Sequence, residues 1–141
     1  MKRGQLSRKI MDAKARTNFV EEFDLPSEVK ELESRKPWPQ GLTSKILLKS
    51  EDFRILLVAM QAGAHMKEHH NDGRISIQTF KGSIQVRVNN ETRMLRSGAL
   101  LAIDRSIKHD VIALEDSIFV LTIAWPSDRE LTAMKHRGYG S

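Results

Sequence analysis

From Ser44 to Trp125 short apolar runs recur, separated by turn residues, at the spacing of an all-β barrel or sandwich. The runs are KILLK (45–49), FRILLVAMQ (53–61), ISIQTF (75–80), SIQVRVN (83–89), TRMLR (92–96), ALLAI (99–103), HDVIAL (109–114) and SIFVLTIAW (117–125). In SIQVRVN the period is two: Ile84, Val86 and Val88 face one way, Gln85, Arg87 and Asn89 the other. That predicts a half-buried antiparallel strand. Asn89-Asn90 tolerates the positive φ of a tight hairpin, so this strand should fold back onto TRMLR. FRILLVAMQ and SIFVLTIAW are apolar on both faces and predict central strands covered on both sides.

Outside that block the texture changes. Residues 1–17 form a basic tail, and 18–43 an arm in which SEVKELES reads as one short helix, capped by Ser27, with Val29 and Leu32 on one face. Its Glu and Lys residues predict a solvated face. PWPQG stops the helix, and Trp38 between two prolines predicts a plug over a core. The barrel occupies 44–126, and in the tail at 127–141 Ser127 would cap one helical turn.

The whole chain, 141 residues, is one domain by length and long enough for one core. It has no cysteine, which excludes disulfides, thiolate ligands and cysteine nucleophiles and fits a reducing cytoplasm. No run is long and apolar enough to span a bilayer, and the basic N-terminus lacks the apolar region of a signal peptide. We therefore expect a cytoplasmic protein with no membrane partner. The net charge of +5 is concentrated in the two tails, with no aromatic residues interleaved and no nucleic-acid motif. The expected role of this charge is solubility rather than nucleic-acid binding.

Candidate chemistry gathers in GAHMKEHHNDG (63–73), which holds three of the five histidines. This stretch resembles the first motif of the cupin superfamily, G-x5-H-x-H-x3-E-x6-G: Gly63, His69 and Gly82 fall in register without a gap. The second motif, G-x5-P-x-G-x2-H-x3-N, is matched by Gly98 and His109. The departures are Asn71 at the second histidine, Ile75 at the glutamate, and Asp104, Ser106 and Ala113 at the proline, inner glycine and asparagine of the second motif. The resemblance implies an all-β, RmlC-like double-stranded β-helix, or jelly-roll, barrel with a short N-terminal helix and extended arm. It also implies a homodimer, since small cupins often pair through sheets or N-terminal strands.

Successive side chains on a strand alternate in direction. His69 and His70 therefore cannot both enter a barrel unless a bulge separates them. The motif register selects His69 as inward, leaves His70 and Glu68 outward, and gives His65 the parity of His69. His69 and His109 are then the implied metal ligands, with His65, Asn71 or Gln78 as candidates for a third. The ion would be one divalent Fe, Mn, Ni or Zn, and a barrel without metal fits the same residues equally. Three functions follow from the resemblance. The first is binding of a small molecule in a pocket containing His69, Gln78 and His109, with or without the metal. The second is a metal-dependent oxygenase or isomerase using His69 and His109. The third is metal-free general-base chemistry by one of these histidines, for which Asp104 would be the orienting carboxylate. An anionic ligand would suit Arg87, Arg93 or Arg105 if they turned inward.

Overall fold

A computed structural model describes residues 15–69, 72–126 and Thr132, with the backbone but not the side chains of Glu68 and His69. His70, Asn71 and the tail helix expected at Ser127 lie outside the described residues.

The helix, α1, spans Leu25–Glu33. Its cap is Asp24 rather than Ser27: the Asp24 carboxylate accepts from the Ser27 N–H at 3.3 Å. The reason is Pro26, which has no N–H to lose in a first turn and a φ already suited to it, so the helix begins before the proline. Val29 and Leu32 are buried with Trp38 against Leu57, Ala59 and Ile118 on the outside of a sheet. The Trp38 Nε1 donates to the Leu32 carbonyl at 3.0 Å, fixing the plug at the end of the helix. The polar face of α1 is not purely solvated. Lys45 pairs with Glu28 and Glu31, and Lys81 with Glu33, which ties the helix to two strands.

The strands are β1 (Leu42–Lys49), β2 (Phe53–Met60), β3 (His65–His69), β4 (Arg74–Lys81), β5 (Ser83–Val88), β6 (Glu91–Arg96), β7 (Leu100–Ile103), β8 (His109–Ala113) and β9 (Ser117–Ala124). They form two antiparallel sheets, one of five strands ordered β1-β2-β9-β4-β7 and one of four ordered β3-β8-β5-β6. Consecutive strands repeatedly cross from one sheet to the other, which is the jelly-roll path. Their facing sides enclose a core that includes Val58, Met60, Ile77, Ile84, Val86, Val111 and Phe119. β2 and β9 are central, as their two-sided apolar pattern requires. Val58 and Phe119 point into the barrel, while Leu57 and Ile118 pack under α1 and Trp38.

Turn chemistry follows the sequence. Asn89 and Asn90 have φ of 52° and 62°, closing the β5–β6 hairpin. Gly82, between β4 and β5, has φ of 84°, and a Cβ there would lie 2.3 Å from the Ser117 hydroxyl oxygen. Ser106, which stands where the second motif has its inner glycine, also adopts a positive φ, 59°. Among the described residues, no helix is long and apolar enough to cross a membrane.

Candidate functional site

β8 carries a histidine that reaches the barrel interior. His109 is 3% exposed and lines a cavity with Met66, Ile75, Ile77, Val111 and Phe119, closed off by Leu121 and Ile123. Among the described residues, His109 is the only polar one in that lining. Its Nδ1 lies 3.0 Å from the Ile107 carbonyl. A carbonyl can only accept, so Nδ1 carries a proton in this bond, which orients the ring. The cavity volume is about 30 Å³, far below the roughly 300–1,000 Å³ of ordinary ligand pockets. The bulky side chains on the facing strands fill most of the barrel.

β3 places the remaining histidines. His65 pairs with Ile112 and Met66 with Val111, but His69 pairs with His109, so β3 contains one extra residue between Met66 and His69. This bulge breaks the parity count that groups His65 with His69. Met66 lines the cavity beside Val111, and His65 therefore lies on the outer face. There its Nε2 is 3.0 Å from the Asp110 Oδ2, and Arg87 donates to the same oxygen at 2.9 Å. His65 is thus removed as a third ligand. The position of His69 directly opposite His109 in the β3–β8 register is fixed by the backbone, while its side chain lies outside the described residues.

Asp110 is the residue that pattern reading does not single out as a site. It is 4% exposed although it points away from the barrel core. Burial alone would raise its carboxyl, but hydrogen bonds from His65 and Arg87 outweigh burial and hold it below its ordinary value. The available signal was a carboxylate in the middle of HDVIA, a strand otherwise built for the core.

The other candidates do not join His109. Gln78 is exposed on β4, on the side opposite Ile77, and borders a surface depression beside Leu25 and Phe80. Asp104 accepts from Arg74 at 2.9 Å and from the Arg105 N–H at 2.7 Å, so it does not orient His109. Arg93 pairs with Glu91 at the sheet edge. Ile75 occupies the cavity wall where a carboxylate ligand would be needed. Among the described residues, no three His, Asp, Glu or Cys side chains converge on a point that suits a metal ion. Of the described His, Asp, Glu and Cys residues, His109 alone lines the cavity, and the other two members of a three-ligand set would come from His69 and Asn71, whose side chains lie outside the described residues.

No family model matches the chain. No curated protein matches it. Solved structures do. The cupin domain of Cnp3 from Schizosaccharomyces pombe aligns with a TM-score of 0.64 and 23% identity, covering 93% of this chain and 90% of that one. A cupin superfamily protein from Desulfitobacterium hafniense gives a TM-score of 0.65 at 16% identity, over 79% of this chain and 99% of that one. KdgF from Halomonas sp. gives 0.60 at 22% identity, over 67% of this chain and 87% of that one. Two facing antiparallel sheets, the motif glycine positions with their left-handed backbone and these likenesses agree: this chain has the cupin fold, a jelly-roll barrel.

Proposed function

We propose that the barrel binds a small, largely apolar molecule, or the apolar end of a larger one, against the wall that carries His109. The observation that carries this reading is the composition of the cavity wall, in which, among the described residues, one imidazole bonded to the Ile107 carbonyl stands among aliphatic and aromatic side chains. Ligand pockets combine an apolar lining with a few placed polar groups, and this cavity has that form at reduced size. A cavity of about 30 Å³ selects small groups over sugars or nucleotides. The test is a fragment screen by thermal shift on the wild type and on His109→Phe, which keeps the wall filled but removes the imidazole. Fragments that raise the wild-type Tm and leave His109→Phe unmoved support the reading. Equal shifts in both proteins, or none in either, reject it.

A second reading, a metal-dependent enzyme of the oxygenase or isomerase class, is supported by the register pairing of His69 with His109. A metal held there would supply Lewis-acid chemistry; His109 would hold it through Nε2 with the Ile107 carbonyl orienting the ring. Elemental analysis of the purified protein beside the double variant His69→Ala, His109→Ala separates the two readings. Near-stoichiometric metal that disappears in the variant favours the second, and a metal-free wild type after loading removes it.

A further inference from the structure

Away from the barrel cavity, a larger crease opens at the end of the four-stranded sheet, between the β5–β6 turn and the β7–β8 loop. It encloses about 450 Å³ and is lined by Arg87, Val88, Asn89, Asn90 and the loop residues 106–108. We propose that this crease binds a small organic anion bearing a phosphate or a carboxylate, with Arg87 as the principal contact and Lys108 as the second cation.

The argument starts from Asp110. Arg87 and Asp110 are register partners on neighbouring strands, and the Arg87 Nη2 donates to Asp110 at 2.9 Å. The Asp110 side chain is 5% exposed while the Arg87 side chain is 63% exposed. The anion therefore lies beneath the cation, and an incoming ligand meets the cation. His65 reaches the same Asp110 oxygen at 3.0 Å, so the anchor is held from two neighbouring strands. A guanidinium has five N–H donors in a rigid fork, and Asp110 takes one by hydrogen bond, which leaves part of the fork for a planar or tetrahedral oxyanion. A preoriented arginine loses less freedom on binding than a loose one.

The rest of the lining has the chemistry such a ligand requires. Lys108 adds a second positive charge from the opposite loop. Asn89, Asn90 and Ser106 add neutral donors, and all three hold positive φ. The volume falls within the range of pockets for small organic molecules, about 300–1,000 Å³, and is fifteen-fold that of the barrel cavity by the ratio of about 450 to about 30 Å³. This site does not depend on the reading of His109.

The experiment is a ¹⁵N NMR titration of the full chain with inorganic phosphate, glycerol 3-phosphate and citrate, repeated on Arg87→Gln, Lys108→Gln and the exposed control Arg96→Gln. The expected result is saturable binding of at least one probe, with shifts concentrated at 87–90 and 106–108. Arg87→Gln should weaken it by about tenfold or more and Lys108→Gln by severalfold, while Arg96→Gln leaves it unchanged. Preference for glycerol 3-phosphate or for citrate identifies the headgroup, and either supports the site. Because Arg87→Gln also disturbs Asp110, Lys108→Gln serves as the variant that leaves the anchor pair intact. The proposal is overturned by no saturable shift at about 10 mM probe, by binding that survives both variants, or by shifts spread evenly over all basic residues. Binding of a DNA duplex alone, unaffected by these variants, also overturns it.

Discussion

His65 and His109 stand on opposite faces of the same four-stranded sheet, the first bonded to Asp110 on the outside, the second lining the barrel cavity inside. One extra residue in β3 produces this division. The two histidines are therefore in different electrostatic settings, and variants of one leave the other in place.

Asp110 makes stability depend on acid pH. Its folded carboxyl sits below the ordinary value of 3.8. Between those two values the unfolded chain binds a proton that the folded chain does not, so stability rises with pH there and is lost as pH falls through the folded value. Asp110→Asn should cost about 1–3 kcal/mol at neutral pH, because it removes the negative charge that strengthens two hydrogen bonds. Near pH 2.5 the gap between variant and wild type should narrow. Urea unfolding across pH 2.5–7 reads this directly, and a gap independent of pH would show that Asp110 stays unlinked to folding.

Ser106 bears a left-handed backbone that glycine adopts freely. Ser106→Gly should stabilise the barrel by about 1 kcal/mol, the order of the steric cost relieved, less the added flexibility of the unfolded chain. A higher midpoint with an unchanged denaturant slope is the expected signature. A lower midpoint would mean that the hydroxyl contributes more to the folded state than the backbone costs it.

Trp38 should be the most sensitive single position outside the barrel core. Trp38→Ala removes the centre of the cluster beneath α1 and should cost about 3–5 kcal/mol. Trp38→Phe keeps most of the apolar volume but leaves the Leu32 carbonyl without the indole donor, and should cost about 1–2 kcal/mol. Chemical denaturation of the pair ranks the two terms. A loss under 1 kcal/mol for Trp38→Ala would mean that the helix is not coupled to the sheet.

Much of this architecture was legible in the pattern of side chains. Period-two alternation located β5, Asn89-Asn90 located its hairpin, and two-faced apolar runs marked β2 and β9 as central. Trp38 was legible as a plug because a large aromatic between two prolines has few other uses. The site was less legible, for specific reasons. Counting parity through β3 fails because a bulge leaves no mark in KEH, and it sent His65 to the wrong face. Gln78 could have been placed outward from its own strand, since Ile75 and Ile77 alternate with Ser76 and Gln78. The buried Asp110 and the size of the cavity depend on what neighbouring strands supply, and no local pattern contains that. A helix counted from Ser27 leaves out the turn that Pro26 opens, and with it the cap at Asp24.

The position of β9 has a consequence for how the chain is made. β9 is the last of the described strands in sequence, yet it lies between β2 and β4 in the middle of the five-stranded sheet. During synthesis from the N-terminus, the edges of β2 and β4 that it joins have no neighbour until Ala124 has left the ribosome. Those edges are apolar and ready to pair with any other strand. A nascent chain stopped before residue 117 would lack the seam that joins the two halves of the sheet, and it would be an aggregation hazard rather than a smaller barrel.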